Sequence, residues 1–154
     1  MHARGQAASP DELNRLAASA TTHCLTGCVI GEVVGMFIAT ALGWGIVASI
    51  ALAVGLAYLF GFALTSVPLF KAGLAFGAIV PIALAADTVS ITIMEVVDNA
   101  FVVLVTEAEA EMEDPLLWIS IAGGFVIAWP IAFLVNKALI RRGKGHAVVH
   151  EHHR

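Results

Sequence analysis

Residues 24–42, CLTGCVIGEVVGMFIATAL, decide the fold. The stretch is nearly all apolar and about as long as the roughly 20 helical residues that cross ~30 Å of hydrocarbon. Within and just beyond it, Gly27, Gly31, Gly35, Ala39 and Gly43 recur at every fourth position. On a helix that spacing lines up small side chains and lets a second backbone approach closely. The helix is therefore expected at the centre of a bundle. Cys24, Cys28, Glu32 and Met36 follow the same i, i+4 spacing and project from another, slowly drifting face.

Working outward, long apolar runs recur at Ile46–Thr65, Leu74–Val105 and Leu116–Ile140. Hydrophobic residues make up 59% of the chain and charged ones 13%, against roughly 45–50% apolar in an average soluble domain. The expected fold is an all-α polytopic membrane bundle with about four transmembrane helices. Residues 1–20 read as an N-terminal segment, 21–140 as the membrane domain and 141–154 as a His-rich tail. No apolar core precedes Cys24, so the N-terminal stretch does not read as a cleavable signal peptide.

Pro10, Asp11 and Glu12 resemble a helix start, which predicts a short interfacial helix over Asp11–Ala20. Leu69–Val105 is too long for one crossing, since a continuous helix would measure ~55 Å. Pro81, Gly73 and Gly77 suggest an interfacial or re-entrant piece over Leu69–Leu84, with the span proper at Ala85–Val105. Two full spans meeting near Asp87 are the alternative, giving five crossings. Pro130 is expected to kink the last span.

All eight Lys and Arg residues fall in the N-terminal segment, the second connection or the C-terminal region. Four crossings bring them to one side, which the positive-inside rule makes the cytoplasm of an inner (plasma) membrane. Both termini are then cytoplasmic. The third connection, TEAEAEMEDP, holds five acids and no base, and would lie outside, with Trp44 and Trp118 near the outer interface.

Glu32 is the residue hardest to explain by packing, because an acid inside a span costs a few kcal/mol. A polar stripe follows in the third span: Asp87, Thr88, Thr92, Met94, Glu95, Asp98 and Asn99. Counting helical rise from Cys24 and Asp87 places Glu32 ~12 Å deep beside Met94 and Glu95, with Met36 near Asp98 and Asn99 at ~16–18 Å. His23 and Cys24 would lie near Asp87. No base lies in the first three spans, so the acids must be protonated, share protons, hydrogen-bond or bind a cation.

Thiols, imidazole and thioether suit copper or zinc, and carboxylates extend the range to harder ions. The candidate metal ligands are thus His23, Cys24, Cys28, Glu32, Met36, Asp87, Met94, Glu95, Asp98 and Asn99. His146 and His150 of the tail complete the set. The structural alternatives are cysteine as a small membrane residue and Met as a gap-filler. No phosphate-binding loop, dinucleotide fingerprint, nucleophile elbow or nucleic-acid surface is present.

The segments ATTHCLTGCVIGEVVGM, AADTVSITIMEVVDN and RRGKGHAVVHEHH resemble a family of small bacterial membrane proteins known as domain of unknown function 4396. The resemblance covers about Thr21 to His153. Its motifs fall on His23, Cys24, Gly27, Cys28, Gly31 and Glu32, then Asp87, Met94, Glu95, Asp98 and Asn99, then Lys144 and His146. It implies no activity. Members look more basic around Leu69–Leu84, which favours four spans.

The resulting expectation is a membrane protein that binds or transports a metal cation, copper or a similar soft metal being favoured. It needs the lipid bilayer as partner, and a homo-oligomer through the Gly27/Gly31/Gly35 face is one way to enclose a path. A membrane-embedded redox enzyme ranks lower because no histidine lies inside the spans. A proton or cation conductor and an accessory subunit of a membrane complex are the remaining alternatives.

Overall fold

The computed structural model describes residues 9–71, 73–107 and 109–142. His146 and His150, proposed as ligands, lie outside the described residues. Four helices account for most of the described chain: α1 (Pro10–Ala41), α2 (Ile46–Lys71), α3 (Phe76–Thr106) and α4 (Pro115–Arg141). Each contains a stretch long and apolar enough to cross a membrane.

α1 is one uninterrupted helix of 32 residues, so the separate interfacial helix expected over Asp11–Ala20 is corrected. Ser9 caps it by accepting a hydrogen bond from the Glu12 N–H at 3.2 Å, with Asp11 and Glu12 in the first turn complementing the helix dipole. Nothing between Ala20 and Cys24 breaks helical geometry, so the amphipathic start runs straight into the span. At the other end the Trp44 N–H reaches the Ala39 carbonyl at 2.9 Å and the Gly43 N–H reaches Thr40 at 3.0 Å. Gly43 takes φ +69°, the left-handed conformation that closes a helix in this way without a Cβ clash.

The glycine stripe of α1 seats α2. A Cβ on Gly27 would come within 2.8 Å of the Gly61 Cα, one on Gly35 within 2.6 Å of the Ala53 Cα, and one on Gly31 would fall on the Ala57 backbone. The partners step by four residues in opposite directions, as antiparallel helices in backbone contact must. The face anticipated as a contact between copies is therefore occupied within the chain.

The stretch Leu69–Leu84 is the end of α2 and the start of α3 rather than a separate piece, and the candidate span within α3, Asp87–Thr106, starts close to the expected Ala85. Gly73, at φ +87°, makes the turn. Gly77 and Pro81 lie inside α3, both exposed. Pro81 is the sixth residue of α3, and a proline this near a helix start disturbs few backbone bonds. At 31 residues, α3 would be ~46 Å long, an excess accommodated by tilt or by projection beyond the hydrocarbon.

The distribution of side chains is inverted relative to a water-soluble protein. Val47, Leu104 and Val126 are more than 70% exposed, while Glu32, Asp87, Glu95 and Asp98 are at most 4% exposed. Apolar side chains facing outward and acids facing inward are what a hydrocarbon solvent selects.

Candidate cation path

α1 and α3 supply the interior acids and thiols, and contacts of their neighbours fix them in depth. Near the basic ends of the helices, Asn136 of α4 donates from Nδ2 to the Thr21 hydroxyl at 3.0 Å and the Ser90 hydroxyl at 3.1 Å. All three residues are fully buried. Thr21 in turn donates to the Ala17 carbonyl at 2.7 Å. This node ties α1, α3 and α4 together at one level.

One turn further in, the Cys24 thiol donates to Asp87 Oδ1 at 3.7 Å and also reaches Ser90. The depth count takes Cys24 and Asp87 as its common origin, and the structure brings the two into contact. Cys28 is the next rung, beside Glu95 and close to Cys24 and Glu32. Neither thiol is in a disulfide. Glu32 and Asp98 are direct side-chain neighbours, and Glu95 faces Glu32. Glu32 thus meets both acids, where the rise count had paired it with Glu95 and left Asp98 to Met36.

Asn99 holds Glu95 in place by donating from Nδ2 to its carbonyl at 2.9 Å and its Oε2 at 3.2 Å. Gly124 of α4 leaves the room that Asp98 fills, since a Cβ there would strike the Asp98 carboxyl group. Asp98 Oδ1 and Oδ2, Glu32 Oε2 and Glu95 Oε1 are buried without a hydrogen-bond partner. Buried carboxyl oxygens in that condition are costly unless something else comes to them.

A cavity of about 590 Å³ leads from the acidic connection to these groups. Glu32, Met36 and Asn99 lie on its inner wall, and Glu109, Glu111 and Glu113 on its rim. Trp118 secures the rim by donating from its indole N–H to the Met112 carbonyl at 2.8 Å. The cavity ends near the acids. Beyond them Cys28, Met94 and Cys24 are embedded in apolar core with Ile91, Phe125 and Ala128.

Among the described residues no group of three or more His, Cys, Asp and Glu converges to hold a metal ion. The donors form a chain of neighbours instead: Cys24 with Asp87, Cys28 with Glu95, and Glu95 and Asp98 each against Glu32. His23 is half-buried and its Nε2 is a buried atom lacking a partner. Met36 packs at the edge of the core.

Asn136 was not singled out in the sequence. Its signal was a lone carboxamide one residue before Lys137, on the same helical side as the buried Ala128 and Ala132. Asn136→Ala strips the bonds to Thr21 and Ser90, and interhelical polar contacts in membranes are each worth about 0.6–1.7 kcal/mol. The expected loss is about 1–3 kcal/mol, measured by thermal unfolding in detergent, with the largest part recovered by Asn136→Gln only if the longer amide still spans both hydroxyls.

A family model described as Domain of unknown function (DUF4396) matches residues 13–145, so most of the chain lies within it. No curated protein and no solved structure matches the chain.

Proposed function

We propose that this chain, which belongs to the DUF4396 family, carries a metal cation through the membrane along the paired donors of α1 and α3. The observation that supports this most is the ladder itself: neighbouring donors that follow one another along α1 and α3, with carboxyl oxygens that accept no hydrogen bond at the level nearest the cavity. A closed cage of ligands would store an ion. Weak, repeated sites let it enter and leave, which is what conduction requires.

The ion enters from the acidic rim, whose carboxylates raise the local cation concentration. It meets Glu32, Met36, Asn99 and Asp98 first, then Glu95 and Cys28, then Cys24 and Asp87, with His23 near the inner end. Carboxylate followed by thiol favours a borderline or soft ion such as copper or zinc. Each thiol must release its proton as the metal binds. On the positive-inside rule the basic face of Lys71, Arg141 and Arg142 would be cytoplasmic, and with it both termini, in an inner (plasma) membrane.

A second reading is proton conduction by the acids alone. It is favoured by the direct Glu32–Asp98 contact, since adjacent carboxyls can share a proton, and by the lack of a three-ligand group among the described residues.

Elemental analysis of untagged protein purified in detergent tests the first reading. Near-stoichiometric metal in the wild type, lost in Cys24→Ser/Cys28→Ser, is the expected result. Equal metal content in wild type and variant removes the thiols from the path. In liposomes, a proton flux that needs no metal and survives the same double substitution would replace metal transport with the second reading.

A further inference from the structure

The cavity is far larger than an inorganic ion needs. A metal ion with six waters, at ~30 Å³ per water, occupies about 180 Å³, roughly a third of the 590 Å³ available. The remaining wall mixes apolar side chains, among them Met36, Ile50, Val102 and Leu117, with uncharged polar ones such as Thr40 and Ser49, and Trp44 also lines it. Its volume falls in the range of sites that enclose small organic molecules, which combine apolar walls with a few placed polar groups.

Charge defines the class of molecule. Among the described residues the lining contains Glu32, Glu109, Glu111 and Glu113 and no Lys, Arg or His. Glu32 is 4% exposed, and its Oε2 is buried without a hydrogen-bond partner. Trp44 is 46% exposed, leaving an indole face for a cation. An acyl chain would match the apolar wall but leave these acids uncompensated, and an anionic headgroup would be repelled by them.

We infer that the cavity is a binding site for an organic ammonium ion, an amine or quaternary ammonium with an apolar body, whose charge rests against Glu32. The apolar body fills the wall of α2 and α3 residues, and the rim carboxylates draw the cation in. Such a ligand would compete with a metal ion at the outermost rung. The inference rests on the proposed path only in taking Glu32 as the first cation acceptor.

The test is equilibrium dialysis of the detergent-solubilised full chain with radiolabelled benzyltrimethylammonium, beside its uncharged carbon isostere, neopentylbenzene. Saturable binding of one cation per chain is expected, at least about tenfold tighter than any specific binding of the isostere. Exchanging the carboxylate for an uncharged amide removes the charge opposite the cation at a buried site, so Glu32→Gln should weaken the cation by about tenfold or more. Trp44→Leu, at an exposed position that does not endanger folding, should weaken it about two- to fivefold, the equivalent of an exposed cation–π contact. Equal binding of cation and isostere, or indifference to both substitutions, overturns the inference.

Cys28→Ser separates the two proposals. It removes a rung of the metal path without touching the cavity lining, so ammonium binding should persist while metal loading falls. A wild type that binds the ammonium ion but carries no metal leaves this site standing and removes the path. Metal loading without ammonium binding does the reverse.

Discussion

Gly31→Leu is expected to abolish recovery of a monodisperse, folded protein, whereas Gly55→Leu is expected to leave yield and thermal stability close to wild type. The two glycines sit on neighbouring helices in equally apolar surroundings. A Cβ at Gly31 would fall on the N and Cα of Ala57, both of them backbone atoms, and backbone cannot swing aside as a side-chain tip can. The helices would have to separate along the whole Gly27/Gly31/Gly35 seam, undoing the close contact that drives helix association where lipid supplies no hydrophobic force. Overpacking a well-filled site typically costs about 1–3 kcal/mol, and one that prises a helix pair apart costs more. At Gly55 nothing lies within 4 Å of the added Cβ, so a leucine there meets lipid. Size-exclusion profiles and thermal unfolding in one detergent decide the matter. If both variants behaved as wild type, the α1/α2 seam would not hold the bundle together.

That seam was readable in the sequence because it depends on one periodicity: small residues every fourth position have few other uses in a span. The same holds for the Glu32–Glu95 level, which follows from counting helical rise along two helices that run the same way once Cys24 and Asp87 are taken as level. Around Gly73, Gly77 and Pro81 the break was expected over a wider stretch than it occupies, for a local reason. All three residues are helix breakers by propensity, but only Gly73 sits where the backbone turns. Gly77 and Pro81 fall inside α3 near its start, where Pro81 removes one backbone bond, that to the Gly77 carbonyl, and the helix continues.

The pairing of Glu32 with Asp98 as well as Glu95 was less visible. Residues three apart on α3 project to almost the same side, and which of them meets α1 depends on how α3 is rotated. Gly124 on α4 leaves the room that Asp98 occupies in that rotation, and a glycine's role of this kind has no signature in its own sequence neighbourhood. The cavity was invisible for a related reason. It is enclosed by two connections that meet at one end of the bundle, and the α3/α4 rim is held by the Trp118 indole bond to Met112, a contact set by loop geometry. The acids of TEAEAEMEDP could be counted in the sequence. Their position above Glu32 required the fold.

In metal-free detergent, the double variant Glu32→Gln/Asp98→Asn is expected to unfold at a higher temperature than wild type, and, when both are purified without chelator, to carry less bound cation. In the native chain, Glu32 Oε2 and both Asp98 carboxyl oxygens are buried without partners, and leaving a buried polar group unsatisfied costs about 1–3 kcal/mol. The two acids also adjoin Glu95, so any ionised form of one opposes ionisation of the others. Carboxamides of the same shape remove the charge and supply N–H donors. Those donors lie beside Glu95 Oε1, itself an acceptor without a partner, so the substitution can close hydrogen bonds that the acids leave open. A gain of about 1–3 kcal/mol follows from satisfying these groups. Such a trade, stability gained where a binding group is lost, is the usual mark of a site kept strained for function. The opposite result, a double variant markedly less stable than wild type without metal, would mean that the carboxyl groups hold α1 against α3. The cluster would then be a packing network, and the cation path would lose its outermost rung.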